Sequence, residues 1–99
     1  MSEHAGFVVV DIWKVKPGKQ DELNAVLAEC GERFRQVDGI LSVDYTRMID
    51  DPDRYLVIFR YRSAEDREAF VAADDLRSTM QRLAELWDLE SPIWQGQSI

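Results

Sequence analysis

GILSVDYTRMIDDPDRYLVIFRY, Gly39 to Tyr61, is two alternating apolar runs around a link of Asp50, Asp51, Pro52 and Asp53. Alternation at period two places one set of side chains on each face of an extended strand. Proline fixes φ and aspartate bonds its own backbone, so the link is a turn. The runs Ile40 to Ile49 and Arg54 to Arg62 are therefore expected to pair as an antiparallel hairpin. The stretch holds three tyrosines and three arginines but no histidine or cysteine, which limits the chemistry it can supply.

Upstream, Phe7 to Val15 is β-branched and aromatic and apolar on both faces. Such a strand is covered on both sides. Lys16-Pro17-Gly18 then turns the chain. From about Lys19 the period changes: Leu23, Val26, Leu27, Cys30 and Phe34 mark an amphipathic helix of roughly 17 residues. Downstream, Ser63 with Asp66 three residues on is a helix-start signal. Phe70 and Val71 form an apolar patch, Asp74-Asp75 interrupts, and Leu76, Met80, Leu83 and Leu86 or Trp87 form a second stripe. These read as one broken helix or two in series. Ser91-Pro92 stops the pattern, and Ile93-Trp94-Gln95 is expected to be a short last strand.

The order β-α-β-β-α-β predicts a ferredoxin-like α+β fold, a four-stranded antiparallel sheet with helices on one face. A chain of 99 residues is one domain, with residues 1–5 expected as a loose tail. Val8, Val10 and Ile12 on strand one, with Leu56 and Ile58 on strand three, share the face turned away from the helices. An apolar face of that extent predicts a homodimer with two sheets packed together.

The net charge is −7 and the pI about 4.6. With no basic patch, neither nucleic acid nor an anionic membrane is an expected partner. FVVVDIW is too short to span a bilayer and Asp11 interrupts it. The opening MSEHAG lacks the pattern of a secretory signal, and Cys30 has no disulfide partner, so a reducing cytoplasm is the expected compartment. Cys30, on the apolar helix stripe, reads as a core residue. There is no metal-ligand set, no flavin motif and no nucleophile triad. Hydrolysis and hydride transfer are thus unsupported, and proton transfer on a small aromatic molecule remains.

KVKPGKQDELNAVL (Lys14–Leu27) and VDGILSVDYTRMIDDPDRYLVIFRYRSAEDREAF (Val37–Phe70) resemble the antibiotic biosynthesis monooxygenase family of dimeric α+β barrels, and the likeness runs from about Phe7 to Trp94. The resemblance implies a ligand cavity between sheet and helices in each subunit. Members include cofactor-free oxidisers of anthrones, naphthols or quinols, haem degraders, and proteins of no known activity. Gly39-Ile40-Leu41-Ser42-Val43-Asp44-Tyr45 matches the Gly-x-Leu-Ser-x-x-Tyr context of the anthrone oxidisers, which implies a site role for Tyr45. Tyr61 stands where the family has a tryptophan. Val57 stands where the anthrone oxidisers have an asparagine. Asp11 and Met80 stand where haem degraders have an asparagine and a histidine. His4, near the start, is the only histidine, so the usual axial ligand is missing and haem degradation is disfavoured.

Strand parity adds its own expectation. With no bulge, the helix-covered face holds Phe7, Val9, Asp11 and Trp13 on strand one. It holds Val43, Tyr45 and Arg47 on strand two, and Tyr55, Val57, Phe59 and Tyr61 on strand three. Phe34, Phe70, Met80 and Trp87 come from the helices. This is an aromatic pocket with few polar groups. An acid amid FVVVDIW is costly unless paired, hydrated or functional, and Asp11 is either paired, for instance with Arg47, or the working base. In the functional reading Asp11 takes the proton. Tyr45 and Tyr61 hydrogen-bond the substrate oxygen. Trp13, Arg47, Val57, Phe59, Phe70 and Met80 bind the substrate. No cofactor or metal is required. A non-catalytic binding barrel and a cyclase or isomerase would use the same pocket.

Overall fold

The computed structural model describes residues 6–97, and of 89–93 the backbone alone. The expected tail at 1–5, with His4, lies outside the described residues. Strand β1 (Phe7–Val15) lies inside a four-stranded sheet. Helix α1 (Gln20–Arg35), strands β2 (Ile40–Arg47) and β3 (Arg54–Tyr61), helices α2 (Ala64–Ala72) and α3 (Asp74–Leu83), and strand β4 (Trp87–Gln97) follow in order. The sheet order is β2-β3-β1-β4, the ferredoxin-like arrangement. It is open, with β2 and β4 at its edges. No helix among the described residues is long and apolar enough to cross a membrane.

The hairpin forms as its sequence predicts. The Asp53 backbone N–H donates to Asp51 Oδ1 at 3.1 Å, and the Arg54 N–H to the Asp51 carbonyl at 2.9 Å. Val43, Tyr45 and Arg47 lie opposite Phe59, Val57 and Tyr55. A register shift between Ile40 and Ser42 spends Leu41 as an extra residue, so the parity of the working part of β2 survives.

Helix α1 has acids in its first turn and arginines in its last, which suits the helix dipole. It buries Leu23, Leu27, Cys30, Gly31 and Phe34. Ser63 caps α2: its Oγ accepts from the Asp66 N–H at 3.2 Å and donates to Asp66 Oδ2 at 2.8 Å. Gly39 holds this corner close to β2. Its φ of +92° suits glycine, and a Cβ there would lie 2.5 Å from Asp66 Cγ. Between α2 and α3 the chain leaves helical geometry at Ala73, with ψ 143°, so the stripe is two helices in series.

Two expectations fail at the C-terminal end. Trp87 does not extend the helical stripe: α3 ends at Leu83, and Trp87 opens β4 opposite Val15. The last strand is not three residues but runs Trp87–Gln97. The reason lies in β1. Its second edge carries backbone donors and acceptors along its whole length, and these need partners. A short strand would leave most of them unpaired.

Candidate active site

Beneath α2 and α3 lies a cavity of about 310 Å³, at the lower end of the usual small-molecule range. Its floor is Val9, Asp11 and Trp13 of β1 with Phe59 and Tyr61 of β3. Phe34, Phe70, Leu76, Met80 and Leu83 form the walls, and Arg67, Val71 and Arg77 complete the lining. Strand parity thus brings Asp11, Trp13, Phe59 and Tyr61 together, and Phe70 and Met80 join them from the helices.

Asp11 is the buried acid of the set, 7% exposed. Trp13 Nε1 donates to its Oδ2 at 3.4 Å. The ladder between β1 and β4 slips beside it: Val10 faces Trp94, yet Ile12 faces Glu90. Irregularities of this kind re-aim side chains beside active sites. Around the acid the walls are aromatic. Phe70 meets Phe34 edge-on at 5.0 Å and lies 5.8 Å from Phe59 and 6.2 Å from Tyr61. Trp13 packs edge-on against Trp87 at 4.2 Å.

Three expected site residues lie elsewhere. Tyr45 belongs to edge strand β2, which α1 covers. Its ring packs 5.4 Å from Trp13, and a Cβ on Gly31 of α1 would lie 3.2 Å from its Cε2. Val57 is fully buried at 0% exposure and does not line the cavity. Arg47 is exposed, with its guanidinium 5.8 Å from the Tyr55 ring centroid. Parity gives the correct face for all three, but the cavity opens over β1 and β3 alone. Parity fixes a direction; the helix overhead decides whether there is room.

Two lining arginines escape a strand-based reading. Arg67 and Arg77 each precede an expected cavity residue, Phe70 and Met80, by three positions. Side chains three apart share a helix face, and that spacing was the available signal.

A family model described as antibiotic biosynthesis monooxygenase matches residues 6–82. The chain belongs to the antibiotic biosynthesis monooxygenase family. No curated protein matches the sequence. Among solved structures, a conserved protein of Methanosarcina mazei Go1 superposes with a TM-score of 0.84 at 13% identity, over 99% of this chain and 97% of that one. SnoaB, a cofactor-independent oxygenase from Streptomyces nogalater, superposes with a TM-score of 0.79 at 18% identity, over 96% and 92%. A Shewanella oneidensis protein gives 0.79 at 20% identity, over 96% and 92%. At these identities the likeness is one of fold.

Tyr45, on edge strand β2, and Tyr61, on the cavity floor, share one electrostatic feature. Burial pushes the hydroxyl pKa of both Tyr45 and Tyr61 far above the ordinary value, and the Cys30 thiol adds to the effect at Tyr45. At Tyr61 the Arg67 cation pulls back and the Asp11 charge pushes up. Burial likewise raises the Cys30 thiol. Tyr61 therefore stays a neutral donor in the cavity. Because the folded-state pKa values exceed the unfolded value of about 10, stability is full below that pH and is lost as pH rises through it. Alkaline unfolding should release tyrosinate absorbance together with loss of the fold. Tyr45→Phe and Tyr61→Phe should each flatten the decline. Tyrosinate from both residues appearing in still-folded protein would contradict burial as the cause.

Proposed function

We propose that this chain is a cofactor-independent monooxygenase of small aromatic phenols or ketones, and that Asp11 is its base. The observation that carries the reading is one buried carboxylate on the floor of a small aromatic cavity with a neutral Tyr61 hydroxyl on the same floor. The fold likeness to SnoaB adds weight.

The chemistry needs only substrate and dioxygen. Asp11 removes a proton from the substrate C–H or O–H, leaving an electron-rich anion whose oxygen Tyr61 steadies by hydrogen bonding. The anion gives one electron to dioxygen, and the resulting radical pair joins through a new C–O bond. The hydroperoxide then loses a proton from the same carbon. Its O–O bond breaks, a carbonyl forms, and hydroxide leaves to become water. One oxygen atom ends in the quinone and the other in water, so atoms and electrons balance without an external reductant. Trp13 and Phe70 stack the rings, while Phe59 and Met80 fill the apolar wall and exclude water. A reducing cytoplasm is the compartment proposed for a chain whose single cysteine, Cys30, is buried and free.

Oxygen-electrode measurements with α-naphthol, dihydroxynaphthalenes and anthrone test the reading. The expected result is equimolar oxygen uptake and quinone formation by protein carrying no added cofactor. Product formed under nitrogen would make it a cyclase or isomerase. Tight binding with no turnover would make it a binding protein.

The active form in this proposal is a homodimer. Val8, Val10, Ile12, Leu56 and Ile58 cover the helix-free face of the sheet, and Trp94 at its edge is 62% exposed. Contiguous apolar surface of this kind is normally covered. Sedimentation should give twice the chain mass for the native protein and a folded single chain for Ile58→Glu. A native protein that sediments as one chain at every concentration would refute the dimer.

A further inference from the structure

Arg67 is half-buried at the cavity, and its side chain makes no hydrogen bond or ion pair with a described residue. The other α2 and α3 arginines differ. Arg77 pairs with Asp74 at 3.3 Å, and Arg82 with Glu29 at 3.0 Å. Even Asp66, next in sequence, is engaged elsewhere, by Arg62 at 2.9 Å. In a chain of net charge −7, a cation that lines a largely apolar cavity without forming an ion pair stands out. Guanidinium presents a planar fork that matches a carboxylate bidentately.

The same cavity carries the opposite charge at Asp11, on its β1 floor. Tyr61 lies within the field of both groups, with Arg67 and Asp11 shifting its hydroxyl in opposite senses. A substrate that fits both charges has a negative group against Arg67 and its acidic proton against Asp11. Arg77 adds a second positive charge to the lining.

We propose that the cavity selects aromatic carboxylates, with Arg67 holding the carboxylate and so presenting the ring hydroxyl or C–H to Asp11. The inference names the substrate class for the oxygenase reading and rests on it for what happens after binding, but the binding itself can be measured alone.

The test compares α-naphthol with the hydroxynaphthoate that adds a carboxylate beside its hydroxyl. Binding is followed through the tryptophan fluorescence of the protein, to which Trp13 contributes from the cavity lining. Native protein should bind the hydroxynaphthoate at least about tenfold tighter, the worth of one charge-assisted hydrogen bond. Arg67→Met should lose about tenfold to a hundredfold for the carboxylate and nothing for the naphthol. Arg67→Lys should recover part of the loss, since a point charge remains. Arg60→Met, exposed on β3, serves as the control and should change neither. Equal losses for both probes in Arg67→Met, or no loss at all, would overturn the proposal. Carboxylate-selective binding with no oxygen uptake would leave Arg67 its role and remove the oxygenase reading instead.

Discussion

Asp11→Asn is expected to lower the rate of oxygen consumption by about a hundredfold or more, the usual contribution of a positioned general base. The amide is nearly isosteric with the carboxylate. Its oxygen can still accept the Trp13 Nε1 hydrogen bond seen at 3.4 Å, so the floor of the cavity keeps its shape. What disappears is the negative charge, and with it the ability to take a proton. The loss should therefore fall on kcat, with naphthol affinity and melting temperature close to native. A variant that keeps native turnover would end the assignment of Asp11 as base. A variant that loses turnover only because it unfolds would show in the melting curve, and Asp11→Glu, which retains the acid but displaces it, then separates position from charge. Tyr61→Phe should cost less, because water can replace part of one hydrogen bond to the oxyanion.

Phe70→Ala should give the largest loss of stability, about 3–5 kcal/mol, typical of truncating a buried phenylalanine. Phe70 is the buried residue of α2. It ties that helix to Phe34 of α1 and to Phe59 and Tyr61 of β3. Without it α2 has no apolar anchor, and a nine-residue helix does not hold itself in water. For a domain of this size the melting temperature should fall by about 15–30 °C. Phe70→Leu nearly conserves volume and should cost below about 1.5 kcal/mol. It should also change substrate preference, because the same ring forms the cavity wall. If Phe70→Ala melts within a few degrees of native, α2 is held by something other than its aromatic contact, and the positioning of Arg67 loses its structural basis.

The candidate site was legible in the sequence to the extent that it lies on strands. Asp11, Trp13, Phe59 and Tyr61 follow from period-two alternation, since a β-strand allows a side chain only two directions. Phe70 and Met80 follow from apolar spacing along helices. The residue singled out by family resemblance, Tyr45, lies on the correct face yet outside the cavity, under α1. Arg67 and Arg77 were hidden because charged residues on a helix ordinarily face water, and their three-residue spacing from Phe70 and Met80 is the one local mark that they turn toward the cavity.

The length of β4 was equally illegible. Trp87 fits a helical stripe as well as a strand, and the choice fell to hydrogen bonds that β1 required from a segment more than seventy residues away. By itself, the amino-acid sequence determined the order of strands and helices, the hairpin turn and the two faces of the sheet, because these follow from backbone geometry and the spacing of apolar residues. The tertiary structure alone decided where α2 and α3 stand off from the sheet to leave space, and which of the inward-facing residues reach it. That depends on how side chains from distant elements fill, or fail to fill, a shared volume, and no local pattern encodes it.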